Sequence, residues 1–235
     1  MLSALTALGR VLGYTILAAL IALALVQFWF LLHIWYWVDH NPTSTAFMEA
    51  RLERLREKNP RVKLDYKWVP YQRISSNLKR AIVVAEDAKF LEHEGFDWEG
   101  IQKAYERNRQ KGKVVAGGST ISQQLAKNLF LSGERTWWRK AQEAVITVML
   151  EAVMTKRRIL EIYLNVIEWG NGVFGAEAAA QYHFGISAGE LSATQAAQLA
   201  AMVPSPRRYR QGTETPYLLM RTEIILSRMG AVALP

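Results

Sequence analysis

The chain has 235 residues, half of them hydrophobic, with a formal net charge of +8 and no cysteine. That length accommodates one domain of moderate size plus an appendage. Without cysteine there are no disulfides or thiolate metal sites, and four scattered histidines (His33, His40, His93, His183) argue against a zinc cluster.

Residues 11–38, VLGYTILAALIALALVQFWFLLHIWYWV, contain no Asp, Glu, Lys or Arg. This exceeds the roughly 20 apolar residues needed to cross a bilayer. A cleaved signal peptide has a shorter apolar region, about 7–15 residues, followed by a small-residue cleavage site. Here the run ends in Phe28, Trp29, Phe30, Trp35, Tyr36 and Trp37, which suit a membrane interface. The segment reads as an uncleaved anchor after a short cytoplasmic stretch, residues 1–10. Arg10 precedes the span and Asp39 follows it, so the positive-inside bias places the rest of the chain outside the cytoplasm.

Residues 39–64 read as a connection, and 65–235 as one mainly α-helical domain. Periodicity predicts helices over 45–58, 76–90, 97–110, 120–131, 136–153, 156–168, 174–183, 192–201 and 214–229, with little strand-like alternation. The basic, glycine-containing connection 107–118 reads as mobile. The positive charge is concentrated: Lys103, Arg107, Arg109, Lys111 and Lys113 face Glu106 alone, and Arg207, Arg208 and Arg210 form a second group. Such patches suit nucleic acid. Beside an anchor, however, anionic or phosphorylated lipid is the more economical partner, and nucleic acid is not expected.

Within AIVVAEDAKFLEHEGFDWEGI, an apolar helix ends on Glu86 and Asp87. Ser75 suits its N-cap. Helical spacing puts Glu86 beside Ile82 and Phe90, on a largely apolar stripe. Partial desolvation there would raise the carboxyl pKa and make it a better proton acceptor. An acidic dipeptide at a frayed helix end is the bland alternative, as is a hydrogen-bonded core role for His93.

The segment GGSTISQQLAKN then starts a helix at Ser119 and Thr120, both good cap residues. Thr120, Gln124, Lys127 and Asn128 share a polar stripe opposite Ile121, Leu125 and Leu129. In WWRKAQEAVITVMLE, Arg139 and Lys140 lie four and three residues before Glu143 and share its face. They form either a solvent ion pair of small value or a pair of cations able to hold a diphosphate. Arg157–Glu161 reads as a structural pair. The Ser76–Lys79 spacing of serine acyltransferases is a chance match, since neither SDN nor KTG follows.

Taken together, EDxxFxxHxGxD (Glu86 to Asp97), GGSTISQQLxKN (Gly117 to Asn128), RKxxE (Arg139 to Glu143) and KxxILExYLN (Lys156 to Asn165) resemble the peptidoglycan glycosyltransferases. PSPRRY and the helix from Arg221 to Met229 are similar to the family's last motif. Ala88 departs from the Arg or Gln common at that position. The resemblance spans about residues 65–230 and looks like the monofunctional, membrane-anchored type. It implies a lysozyme-like helical fold with a small jaw lobe at the membrane, and polymerisation of lipid II in the bacterial inner membrane with the catalytic domain in the periplasm. It implies Glu86 as general base and Glu143 as the second acid. Asp87, Phe90, His93, Ser119, Thr120, Gln124, Lys127, Asn128, Arg139 and Lys140 are implied to surround the substrate. A divalent cation (Mg or Mn) at the donor diphosphate is compatible with this scheme, though not required by it. The implied partners are lipid II, the growing glycan strand, membrane lipid and proteins of cell division or elongation. A lysozyme-like lytic enzyme is the rival.

Overall fold

The computed structural model describes residues 2–113, 117–131 and 136–235. The first unit, residues 1–40, contains one helix, α1 (Leu2–Asp39). Its stretch Leu8–Asp39 is long and apolar enough to cross a membrane, with only 6% of its most apolar window buried.

The second unit, residues 41–235, carries the remaining elements. They are α2 (Ala46–Arg56), β1 (Asp65–Tyr66), α3 (Ser76–Glu86), α4 (Trp98–Lys111), α5 (Ile121–Phe130), α6 (Trp137–Val153), α7 (Lys156–Val166), β2 (Glu168–Gly170), β3 (Val173–Phe174), α8 (Ala176–Phe184), α9 (Ala193–Met202) and α10 (Pro216–Arg228). The fold is mainly α, as expected. Helix α2 lies inside this unit and packs on α5, so residues 46–56 belong to the domain instead of merely connecting to it.

Helix ends follow local chemistry. Thr120 caps α5 with a full capping box, its hydroxyl accepting from Gln123 N–H while the Gln123 side chain accepts from Thr120 N–H. Thr45, Ser75, Thr136 and Thr155 likewise accept from the first turns of α2, α3, α6 and α7. The 107–118 connection is shorter than expected, because α4 runs to Lys111 and ends on Gly112 at φ +61°. Residues 114–116 of that connection lie outside the described residues.

Helix α5 packs against α6 and α7, while α3 packs against α9 and α10. Ile82, Leu78, Ile121, Leu125, Ile146, Leu150 and Tyr163 on these helices are fully buried, as is Trp169 on β2. Each such side chain contributes roughly 1.5–3 kcal/mol by leaving water. A small sheet of order β1-β3-β2, parallel between β1 and β3 and antiparallel between β3 and β2, was not expected from the sequence. Its strands are two or three residues long, too short for alternation to register.

Helix α3 stops at Glu86, four residues earlier than predicted. Asp87 leaves helical conformation at φ −163°, ψ 73°, because its carboxylate is claimed from outside the helix. Oδ2 accepts the N–H of Ile121 at the start of α5 (3.0 Å), and Oδ1 accepts from Nε2 of His93 (2.9 Å). The carboxylate thus sits at the positive end of the α5 dipole. Nδ1 of His93 accepts from Gly95 N–H at 3.1 Å, which assigns the ring proton to Nε2.

Candidate active site

These contacts fix Glu86 against α5. Its Oε2 accepts from Nε2 of Gln124 at 2.7 Å, and Oε1 of Gln124 accepts from the Tyr163 hydroxyl at 2.9 Å. The residue is partly exposed, yet protein atoms crowd the carboxyl. Desolvation pushes its pKa up, opposed by the Gln124 hydrogen bond and by the charges of Arg221 and Lys127, and reinforced by Asp87. A cavity of about 160 Å³ opens at Glu86, lined by Ala85, Asp97, Gly117, Gly118 and Ser119 among others.

One turn further along α5, Lys127 enters a second cavity of about 470 Å³, shared with Gln124, Asn128, Arg51, Arg54, Arg139 and Arg207. Among the described residues no hydrogen bond or ion pair holds the Lys127 ammonium. Burial pushes its pKa down first. Arg139 and Lys140 add to that, while Glu143 and Glu86 oppose it. Gln124 lines this cavity while hydrogen-bonding Glu86, so it joins the two sites.

The ion pairs of α6 are not a solvent cluster. The Glu143 side chain is 4% exposed and bonds Lys140 as well as Arg139 Nη1, the latter at 3.4 Å. The buried carboxylate therefore ties both cations to one place. Across the cavity Glu168 does the same for Arg51 (3.0 Å) and Arg207 (3.4 Å).

Of the expected substrate contacts, Asp87 and Thr120 line the smaller cavity and Asn128 the larger, whereas Phe90 and His93 line neither. Phe90 is fully buried, with Lys156 4.7 Å above its ring, and the end of α3 at Glu86 removes it from that helix's face. It is a packing residue. Asp87 and His93 serve each other and the α5 N-terminus. Thr120 is a buried cap whose hydroxyl donates to Gly95 O at 2.7 Å. Asn128 is largely buried and donates to Gln124 O. Ser119, by contrast, is exposed at the cavity rim. Glu161 pairs with Arg158 at 2.7 Å, not with Arg157, whose guanidinium stacks 4.8 Å from the Tyr71 ring.

Tyr163, Arg221 and the cavity cations Arg51 and Arg54 were not anticipated as parts of the site. Tyr163 lies in the KxxILExYLN segment and Arg221 opens the helix similar to the family's last motif, though neither was assigned a role, and nothing local marks Arg51 or Arg54.

Among the described residues no three His, Asp or Glu converge to hold a metal. The carboxylate of Glu143 is already bonded to two cations. Mg²⁺ or Mn²⁺ at a diphosphate would take most of its ligands from phosphate oxygens and water, with one or two carboxylates from the protein.

In this helical domain a desolvated carboxyl stands beside a cationic cavity, an arrangement suited to moving a group off an anionic leaving group. A transglycosylase family model matches residues 53–230, and the chain belongs to that family. It is 65% identical over 209 residues to a biosynthetic peptidoglycan transglycosylase of Nitrosospira multiformis, covering 89% of this chain and 91% of the relative. A protein of the same description from Laribacter hongkongensis is 65% identical over 219 residues, covering 93% and 96%. Another from Janthinobacterium sp. is 58% identical over 228 residues, covering 97% and 99%.

Proposed function

We propose that the chain polymerises lipid II, a disaccharide-pentapeptide on undecaprenyl diphosphate, into β-1,4-linked glycan during cell wall synthesis. The family match and the descriptions of the relatives support this reading. The observation that carries it is Gln124 and Lys127 on one face of α5, coupling Glu86 to the cationic cavity.

The acceptor's 4-hydroxyl sits in the smaller cavity, where Glu86 removes its proton as the oxygen attacks the donor's sugar carbon. The bond from that carbon to the diphosphate breaks on the opposite side, giving inversion. Negative charge then grows on the leaving group. Lys127, Arg139 and Lys140 are already in place for it, so little reorganisation accompanies the reaction. Glu143 acts on this step by holding Arg139 and Lys140. Ser119 orients a sugar at the rim.

A raised carboxyl pKa also suits a proton donor, as in lytic enzymes. A sugar leaving group has no use for the cationic cavity, and that decides for polymerisation. Helix α1 serves as the inner-membrane anchor with the catalytic unit in the periplasm, a reading supported by Arg10 before the span and Asp39 after it. Purified protein with labelled lipid II is expected to yield long glycan chains. Fragmentation of added glycan, with no chain growth, would support the lytic enzyme instead.

A further inference from the structure

Tyr163 sits on α7, whose contact with α5 is apolar and closely packed. It is fully buried. A buried phenol hydroxyl needs a partner, and here the partner is the side-chain oxygen of Gln124. A neutral phenol hydroxyl has one proton to give. In donating it, Tyr163 requires an acceptor on Gln124 and so decides which end of the amide faces it. The other end, two N–H groups, then points to Oε2 of Glu86. Were the amide reversed, its carbonyl oxygen would face the carboxylate, and two acceptors would meet without a proton between them.

We propose that Tyr163 is a positioning residue for the reaction: through Gln124 it fixes an N–H toward Glu86 and keeps that carboxylate ionised and aimed. The proposal rests on Glu86 being the base. Burial raises the Tyr163 pKa well above its ordinary value, helped by Glu86 and Asp87, so the hydroxyl remains a donor throughout the working range. The other charged groups facing Glu86 are Lys127 from α5, Arg221 from α10 and Asp87 from its own segment. Lys127 and Arg221 favour the carboxylate and Asp87 opposes it, but none of the three governs the Gln124 amide. Among the described residues Oε1 of Glu86 accepts no hydrogen bond, which leaves one oxygen for the acceptor hydroxyl.

The test is the pH dependence of kcat/KM on lipid II for Tyr163→Phe, Gln124→Ala and the double variant, with thermal unfolding of each. Tyr163→Phe keeps the ring and removes only the hydroxyl. It is expected to move the acid limb upward by about half to one pH unit, as for a weakened hydrogen bond to a charged group. Below the limb this is a loss of roughly three- to tenfold, recovered at higher pH. In the Gln124→Ala background, Tyr163→Phe should shift nothing further. A limb that coincides with wild type, a pH-independent loss, or an undiminished shift in the Gln124→Ala background would each overturn the proposal. Glu86→Gln separates this from failure of the underlying reading. An inactive Glu86→Gln with an unshifted Tyr163→Phe condemns only the positioning role, whereas an active Glu86→Gln removes the base itself.

Discussion

Replacing Lys127 by Met tests the leaving-group site, because catalysis and stability should move independently. The ammonium is half-buried, bonds no described residue, and shares its cavity with Arg139 and Arg207. Removing one preorganised donor aimed at developing charge typically costs about 10²–10³ in kcat, or about 2.7–4 kcal/mol. The remaining cations place the expected loss near the lower end, about 10². Stability should behave differently. A lysine whose folded pKa is lowered penalises the folded state while it stays protonated. That penalty is full below the folded-state pKa and fades as pH rises from there toward the ordinary value of 10.5. Met fills the same space without the charge, so Tm at neutral pH should hold or rise. Lipid II turnover and thermal unfolding of Lys127→Met, Arg139→Met and the double variant read both quantities. Turnover within about threefold of wild type in both single variants would place the leaving group elsewhere. A lower Tm for Lys127→Met would refute the electrostatic reasoning.

Other outcomes follow from the same contacts. The acid limb of wild-type kcat/KM should lie above the ordinary glutamate value of 4.5, with activity lost as pH falls through the raised Glu86 pKa; a limb at or below 4.5 removes desolvation as its cause. The same raised pKa lowers stability once Glu86 ionises, so Glu86→Gln should melt no lower than wild type at neutral pH, as thermal unfolding checks. Gly95→Ala should destabilise by about 1–3 kcal/mol in denaturant titration, since φ is +93° and the new Cβ would lie 2.8 Å from Thr147 Cγ2; an unchanged midpoint would mean the turn relaxes freely. A reporter fused at the C-terminus should be active only when exported, and cytoplasmic activity would reverse the proposed topology.

The helices were legible because their apolar periodicity and caps are local. Ser75, Thr120 and Thr136 mark starts that the structure keeps within a residue or two. The stop of α3 was not legible, because its cause is remote: the Ile121 N–H and His93, brought to Asp87 by the fold. That error put Phe90 on the face of Glu86, where the structure does not leave it. Glu86, Gln124, Lys127, Arg139 and Glu143 could be singled out by residue type and spacing, and the structure brings them together. The burial of Glu143 depends on the packing of α6 against α5, and the wall of Arg51, Arg54 and Arg207 on α2 and the turn after α9, which sequence spacing does not relate. Tyr163 was hidden for a subtler reason. Its ring satisfied the apolar pattern of α7, and nothing in that pattern records where a buried hydroxyl must donate.

The central claim is that one site couples proton removal at Glu86 to departure of a lipid diphosphate. Lipid II labelled in both sugar and lipid, given to wild type and Glu86→Gln, tests it most directly. Wild type should release one undecaprenyl diphosphate for each glycosidic bond formed, and folded Glu86→Gln should be slower in both by about 10²–10⁴-fold. Wild-type turnover by folded Glu86→Gln, or diphosphate release without chain growth, would contradict it.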